Sequence, residues 1–297
     1  MSVDFYISNF AGGGAEINFI NLVNLMNLSG YNSQFIVNKS DGPNISSLDD
    51  SIKINNLEVE NSRGAIYSLV KYINQSKPDI IISTLTHCNL ALLIASLFTK
   101  HSTKIIVREA NSFLDQRKSL NLWRLFYERI RAGILYRFAD EIIVNSEGAR
   151  TQLANAIFID HAKIKILPNL INYEKILSLS KKKIDSKLKN LIANKRLIVS
   201  VGRLIRNKDY FTMLRAIKDL NRENIILLIM GEGKQYDIIN KEIIKLKLQE
   251  KVELMGYVEN PYNIMKIADV FLLTSIFEGM PNVLIEALSL KVPIVSS

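Results

Sequence analysis

The chain has a single cysteine, Cys88, so it can build neither an internal disulfide framework nor a cysteine-based zinc site. Histidine is almost as scarce. His87, His101 and His161 are spread too widely for a histidine metal cluster, and no metal is expected. A reducing compartment is the simplest reading of this cysteine usage. The opening Met1-Ser2-Val3-Asp4 has no basic segment and no long apolar run, which argues against a signal peptide. The longest largely apolar run, residues 90–98, is too short to cross a bilayer.

What is present is ample apolar material. The chain has 297 residues, 48% of them hydrophobic, enough for one large or two medium domains with full cores. The net charge is +9, and much of the excess falls between residues 100 and 137. There, residues 117–137 read as a helix that mixes Trp123, Phe126, Tyr127 and Ile130 with Arg117, Lys118, Arg124, Arg129 and Arg131. Such a basic, aromatic helix fits an anionic membrane surface. The competing reading is a core-packed helix whose arginines face water. The charge would also suit nucleic acid, but no nucleic-acid motif accompanies it, and no such partner is expected.

Short apolar runs alternate with amphipathic patterns from end to end. Strands are expected near 2–8, 34–37, 79–83, 104–108, 141–144 and 164–167, then near 197–201, 225–230, 252–255, 269–274 and 292–296. Helices are expected near 14–29, 64–76, 88–99, 119–137 and 147–156, then near 208–220, 234–247, 260–267 and 282–290. This alternation predicts an α/β fold of two doubly wound parallel sheets facing a cleft. The expected division is a first domain over 1–168, a lysine-rich linker over 169–196 and a second domain over 197–297. Ligands of such sheets collect at the carboxyl ends of the strands.

Several motifs fall at those ends. Phe277-Glu278-Gly279-Met280-Pro281-Asn282 leads into a helix that carries Glu286, with Pro281 suited to its first turn. A helix start fed by Glu-Gly offers free backbone donors to an anion or a polar sugar. Glu286 lies between Ile285 and Ala287 in an apolar stretch, where a carboxylate needs a partner. Two solvated surface glutamates are the plainer alternative. Arg203 follows the strand ending at Val201-Gly202, and Lys208 is expected to open the next helix. Together they suit a diphosphate, a fork beside a point charge, or are simply two solvated cations. Gly231-Glu232-Gly233 follows the next strand and permits close backbone approach to a ligand. Gly12-Gly13-Gly14 follows the first strand without the order of a dinucleotide site or a P-loop. It can still offer N–H groups, or be a flexible turn. His87 ends a strand or starts a helix, and Arg108-Glu109-Ala110-Asn111 ends another strand; either could contact an acceptor, although a lone histidine is more often an ordinary packed or capping residue.

Taken together, these segments resemble the retaining glycosyltransferases of family 4, which have the GT-B fold. The matching pieces include Gly13-Gly14-Ala15-Glu16, Leu167-Pro168-Asn169, Gly202-Arg203-Leu204 with Lys208, Gly231-Glu232-Gly233 and Glu278-Gly279-Met280-Pro281-Asn282 with Glu286. The resemblance implies that Arg203 and Lys208 hold the diphosphate of a nucleotide-sugar, UDP-sugar being expected, by electrostatics without a metal or other cofactor. It implies that Glu278, Gly279 and Met280 contact the donor sugar, that Glu286 binds the ribose, and that Gly13, Gly14 and Gly231 approach the donor. It places an acceptor near His87, Glu109 and Asn111. The activity implied is hexosyl transfer in polysaccharide or lipopolysaccharide synthesis. The acceptor would be a lipid-linked glycan, and the enzyme would be cytoplasmic, at the inner face of the membrane. Two departures are visible. Members of the family continue past the position of Ser297, so a C-terminal portion is expected to be missing, and a non-catalytic remnant is the alternative reading. Lys291 also stands where glycine is usual, at an expected left-handed cap. A GT-B epimerase or phosphorylase would share the fold but fits the Glu278–Glu286 segment poorly.

Overall fold

A computed structural model of the chain describes residues 1–11, 13–110, 113–114, 121–220 and 222–297. They divide into two compact units, Met1–Leu170 and Ile171–Ser297.

The first unit is a seven-stranded parallel sheet. Its strands are β1 (Ser2–Ile7), β2 (Asn32–Val37), β3 (Lys53–Asn56), β4 (Ile80–Thr84), β5 (Lys104–Glu109), β6 (Glu141–Val144) and β7 (Ile164–Ile166), in the order β3-β2-β1-β4-β5-β6-β7. Helices α1 (Gly14–Leu28), α2 (Ala65–Ser76), α3 (Thr86–Ser96), α4 (Leu122–Tyr136) and α5 (Glu147–Ile157) connect them. Alternation within β1 divides the core between the two faces. Val3, Phe5 and Ile7 join a cluster with Phe19 and Phe35, and Tyr6 joins another with Ile36, Leu69 and Tyr136. Phe5 and Phe19 meet edge to face at 5.3 Å.

Strand β3 is absent from the sequence expectation. Its Lys-Ile-Asn-Asn has one apolar residue and forms by backbone pairing with β2, Phe35 opposite Ile54. Helix α4 begins at Leu122, and the expected positions Arg117 and Lys118 lie outside the described residues.

The second unit holds α6 (Tyr173–Ser180), α7 (Ser186–Ile192), β8 (Arg196–Val201), α8 (Tyr210–Asp219), β9 (Ile225–Met230) and α9 (Tyr236–Lys245). It continues through β10 (Val252–Gly256), α10 (Tyr262–Met265), β11 (Val270–Leu273), α11 (Asn282–Ser289) and β12 (Ile294–Ser296). The parallel order is β10-β9-β8-β11-β12. The stretch read as a linker carries α6 and α7, whose Ile176 and Leu188 enter a core cluster with Val199 and Phe271. Its lysines face outward while one apolar side of each short helix packs, which a polar composition conceals.

Chain order reverses between β1 and β4 in the first sheet and between β8 and β11 in the second. At such a switch point the two following loops diverge and leave a crevice at the carboxyl ends of the strands. The loops after β8 and β11 carry Arg203, Lys208 and Glu278.

Candidate active site

Glycine backbone forms the floor at the end of the second sheet. Gly231, at φ +146°, lies so close to the strand beside it that an added Cβ would fall 2.0 Å from the Gly202 carbonyl oxygen. Only glycine fits there, because both the conformation and the space exclude a side chain. Gly202 N–H donates to Met230 O at 3.0 Å, and Gly231 N–H donates to Gly256 O at 2.7 Å.

Lys208 does not open α8. It closes a single 3-10 turn, Arg206–Lys208, and Asp209 caps the helix in a left-handed conformation at φ +43°. Asp209 Oδ1 accepts from Thr212 N–H at 3.4 Å, the polar cap that an N-terminus needs, and its other oxygen accepts from Thr212 Oγ1 at 2.7 Å. This extra turn carries Lys208 back over the strand end, where its Cε would lie 3.2 Å from a Cβ built on Gly202. Its Nζ meets Glu278 Oε1 at 2.6 Å, with the two side chains 15% and 26% exposed. Ser275 Oγ donates to the same oxygen at 3.2 Å.

Four further hydrogen bonds join the two loops. Asn207 Nδ2 donates to Phe277 O at 2.7 Å, and Ile276 N–H donates to Asn207 O at 2.9 Å. Buried Thr274 donates through Oγ1 to Lys208 O at 3.1 Å and Asp209 O at 2.9 Å. Tyr210 OH, fully buried, donates to Gly202 O at 3.0 Å. Burial pushes its phenol pKa up, with the Glu278 charge adding to the shift. Arg203 is exposed at the end of β8, and among the described residues its guanidinium has no hydrogen bond or ion pair.

Pro281 sits at the N-cap of α11, one position before the helix begins at Asn282. Gly279 and Met280, both half-buried, form the loop that leads to it. Glu286 lies half-buried in the middle of α11, and burial pushes its carboxyl up to about 7, with Tyr262 opposing the shift by hydrogen bonding. The Tyr262 phenol rises in turn, by its own burial and then by the Glu286 charge. Lys291 does adopt the left-handed conformation expected at its position, φ +61°.

In the first unit, Gly13 is the N-cap of α1 and Gly14 its first residue, while Gly12 lies outside the described residues. Across the switch point, β4 is followed by Leu85 at φ +75°, a strained angle for leucine, whose carbonyl accepts from the N–H groups of Cys88 and Asn89. His87 follows in the first turn of α3, exposed. Glu109 is buried at the end of β5, accepting from Thr86 Oγ1 at 2.7 Å and Tyr136 OH at 2.5 Å. Arg108 beside it is also buried, donating to Asn18 Oδ1 at 2.9 Å and Asn169 Oδ1 at 2.7 Å, and burial pulls its pKa down to about 10. Asn111 lies outside the described residues. Asn18, Asn89, Thr86 and Tyr136 carry no sequence signal. Their partners come from distant strands, and only the fold reveals them.

Helix α4 buries only Ala132, Gly133 and Tyr136. Leu122 is 83% and Trp123 85% exposed, and Phe126, Tyr127, Ile130 and Ile134 are exposed with them. A contiguous apolar strip of this kind marks an interaction surface. Its arginines divide into two groups. Arg129 Nε donates to Ala156 O at 2.6 Å and its guanidinium lies 4.4 Å from the Phe158 ring, closing the end of α5, while Arg131 pairs with Glu128 at 2.6 Å. Arg124 and Arg137 remain exposed.

Among the described residues no group of three or more His, Cys, Asp or Glu is placed to hold a metal, and no helix is long and apolar enough to cross a membrane.

Two doubly wound parallel sheets, the second with Lys208 and Glu278 paired at its switch point, are the architecture of the GT-B class. Residues 12–175, more than half the chain, match the family model described as Glycosyltransferase Family 4, and residues 181–297 match Glycosyl transferases group 1. The chain belongs to Glycosyltransferase Family 4. It is 28% identical over 238 residues to an uncharacterized glycosyltransferase of Methanocaldococcus jannaschii, covering 78% of this chain and 58% of that relative. It is 32% identical over 209 residues to N-acetylgalactosamine-N,N'-diacetylbacillosaminyl-diphospho-undecaprenol 4-alpha-N-acetylgalactosaminyltransferase of Campylobacter jejuni, covering 70% of this chain and 54% of that enzyme. The chain thus spans little more than half the length of these two relatives. Among solved structures, Anabaena HepE in complex with UDP-glucose shares the fold, with a TM-score of 0.81 at 19% identity over 100% of this chain and 80% of that one.

Proposed function

We propose that the chain carries out retaining glycosyl transfer from a UDP-sugar to a lipid-linked glycan. The observation that supports this best is the Lys208–Glu278 contact at the second sheet's switch point, with exposed Arg203 on the same loop as Lys208. Arg203 and Lys208 take the diphosphate and neutralise the charge that develops as the sugar C1–O bond breaks. Glu278 and the amides of Gly279 and Met280 position the sugar, Glu286 accepts from the ribose, and Gly231 lets the donor approach the backbone. Gly13 and Gly14, at the start of α1, are assigned to the donor side by the family resemblance alone. The acceptor hydroxyl attacks C1 from the face the diphosphate leaves, and its proton passes to a leaving phosphate oxygen. The cations supply the charge neutralisation a metal would otherwise provide, so no metal or other cofactor takes part. His87, exposed in the first turn of α3, belongs to the acceptor side, whereas Glu109 is buried and engaged by Thr86 and Tyr136, so it supports that side rather than touching an acceptor.

The Campylobacter relative's name specifies a diphospho-undecaprenol acceptor, and HepE is bound to UDP-glucose. Both fit this reading. The exposed aromatic strip of α4, with Arg124 and Arg137, suits the inner surface of a cytoplasmic membrane where such an acceptor resides. Incubation with UDP- and GDP-sugars and a polyprenyl-diphosphate glycan tests the proposal. The expected result is UDP release with sugar transfer, reduced about 100-fold or more in Arg203→Ala. Release from no donor in either nucleotide series overturns it.

A further inference from the structure

We propose that Glu278 and the donor diphosphate compete for one cation, Lys208, so that their ion pair opens when the donor enters and re-forms to expel the spent nucleotide. The inference rests on the donor-site reading above. The lysine stem lies against Gly202, and its head is held 2.6 Å from Glu278 Oε1, so an arriving diphosphate meets an ammonium already engaged by a carboxylate. The backbones cannot separate to relieve the competition. Asn207 and Thr274 fasten the loop of Lys208 to that of Glu278 through hydrogen bonds of 2.7 to 3.1 Å. Exchange is therefore confined to the two side chains.

A diphosphate is the stronger claimant, since it carries more charge than a carboxylate and accepts several charge-assisted hydrogen bonds. When Lys208 turns to it, Glu278 keeps Ser275 Oγ, at 3.2 Å, and the sugar hydroxyls satisfy the rest of the carboxylate. After transfer the sugar has gone. A partly buried carboxylate left with one hydroxyl partner is costly, and it draws Lys208 back from the nucleotide. Glu278 thus holds the donor sugar in one half of the cycle and loosens UDP in the other.

Titration calorimetry with UDP on the native chain, Glu278→Gln, Lys208→Ala and the double variant tests this, with thermal melts to check that each is folded. Glu278→Gln should bind UDP about tenfold more tightly than the native chain, although its turnover is lost. In the Lys208→Ala background the same substitution should change UDP affinity little, because the competition has been removed. Equal or weaker UDP binding by folded Glu278→Gln overturns the inference while leaving the donor site in place. A gain that persists without Lys208 also overturns it, since Glu278 would then act on the diphosphate by direct repulsion. Failure of the native chain to bind UDP would defeat the donor-site reading itself.

Discussion

If Glu286 accepts from the ribose as proposed, it couples nucleotide binding to pH at the level of one residue. Burial raises its carboxyl from 4.5 to about 7, so the folded chain favours the neutral acid. The stabilising contribution of that acid is complete below about 4.5 and is lost as pH rises through about 7. Ribose hydroxyls, in contrast, are better bound by the carboxylate. Affinity for UDP-glucose, whose diphosphate has no group that titrates here, should therefore rise about tenfold from about pH 6 to about pH 8, with a single ionisation. Glu286→Gln should flatten that profile at the weaker level and remove the corresponding loss of thermal stability at high pH. Calorimetry and melting curves across the range read both effects. Glu286, Lys208 and Glu278 could be named from local sequence, because residue type and strand-end position mark them. The contact between Lys208 and Glu278 could not. It depends on Asn207 and Thr274, polar residues whose partners lie some 65 to 70 positions away.

Single elements show where composition is a good guide and where it is not. Helix α4 looked amphipathic in sequence with two readings open, and the structure leaves its aromatic strip in solvent rather than in the core. Trp123→Glu combined with Arg124→Glu should abolish most sedimentation with anionic phosphatidylglycerol vesicles and leave the melting temperature unchanged. Neither side chain packs against the fold, so unchanged sedimentation would mean that the strip faces another partner. Arg129 is unsuitable for such a test, because it closes the end of α5. Strand β3 and helices α6 and α7 escaped sequence reading for a common reason. Each contributes few apolar side chains, and each is stabilised by an edge or face that another element supplies.

The alternation of strands and helices made the parallel α/β architecture legible across the whole molecule, since buried parallel strands need continuous apolar runs. Strand order was not legible, because periodicity does not say which strands are neighbours, and the order alone creates the two switch points. If the donor site lies in the second unit, UDP at a hundredfold excess over its Kd should stabilise that unit by about 2.7 kcal/mol. Calorimetry should register this as a rise of about 10 °C in the transition belonging to Ile171–Ser297. The contact of Gly231 with the Gly202 carbonyl carries a practical lesson for anyone wishing to redirect sugar choice. Mutagenic libraries should leave both glycines untouched, since even alanine at Gly231 would wedge the strand ends apart, and should spend their diversity on positions such as Ile276, whose side chain is exposed beside the site.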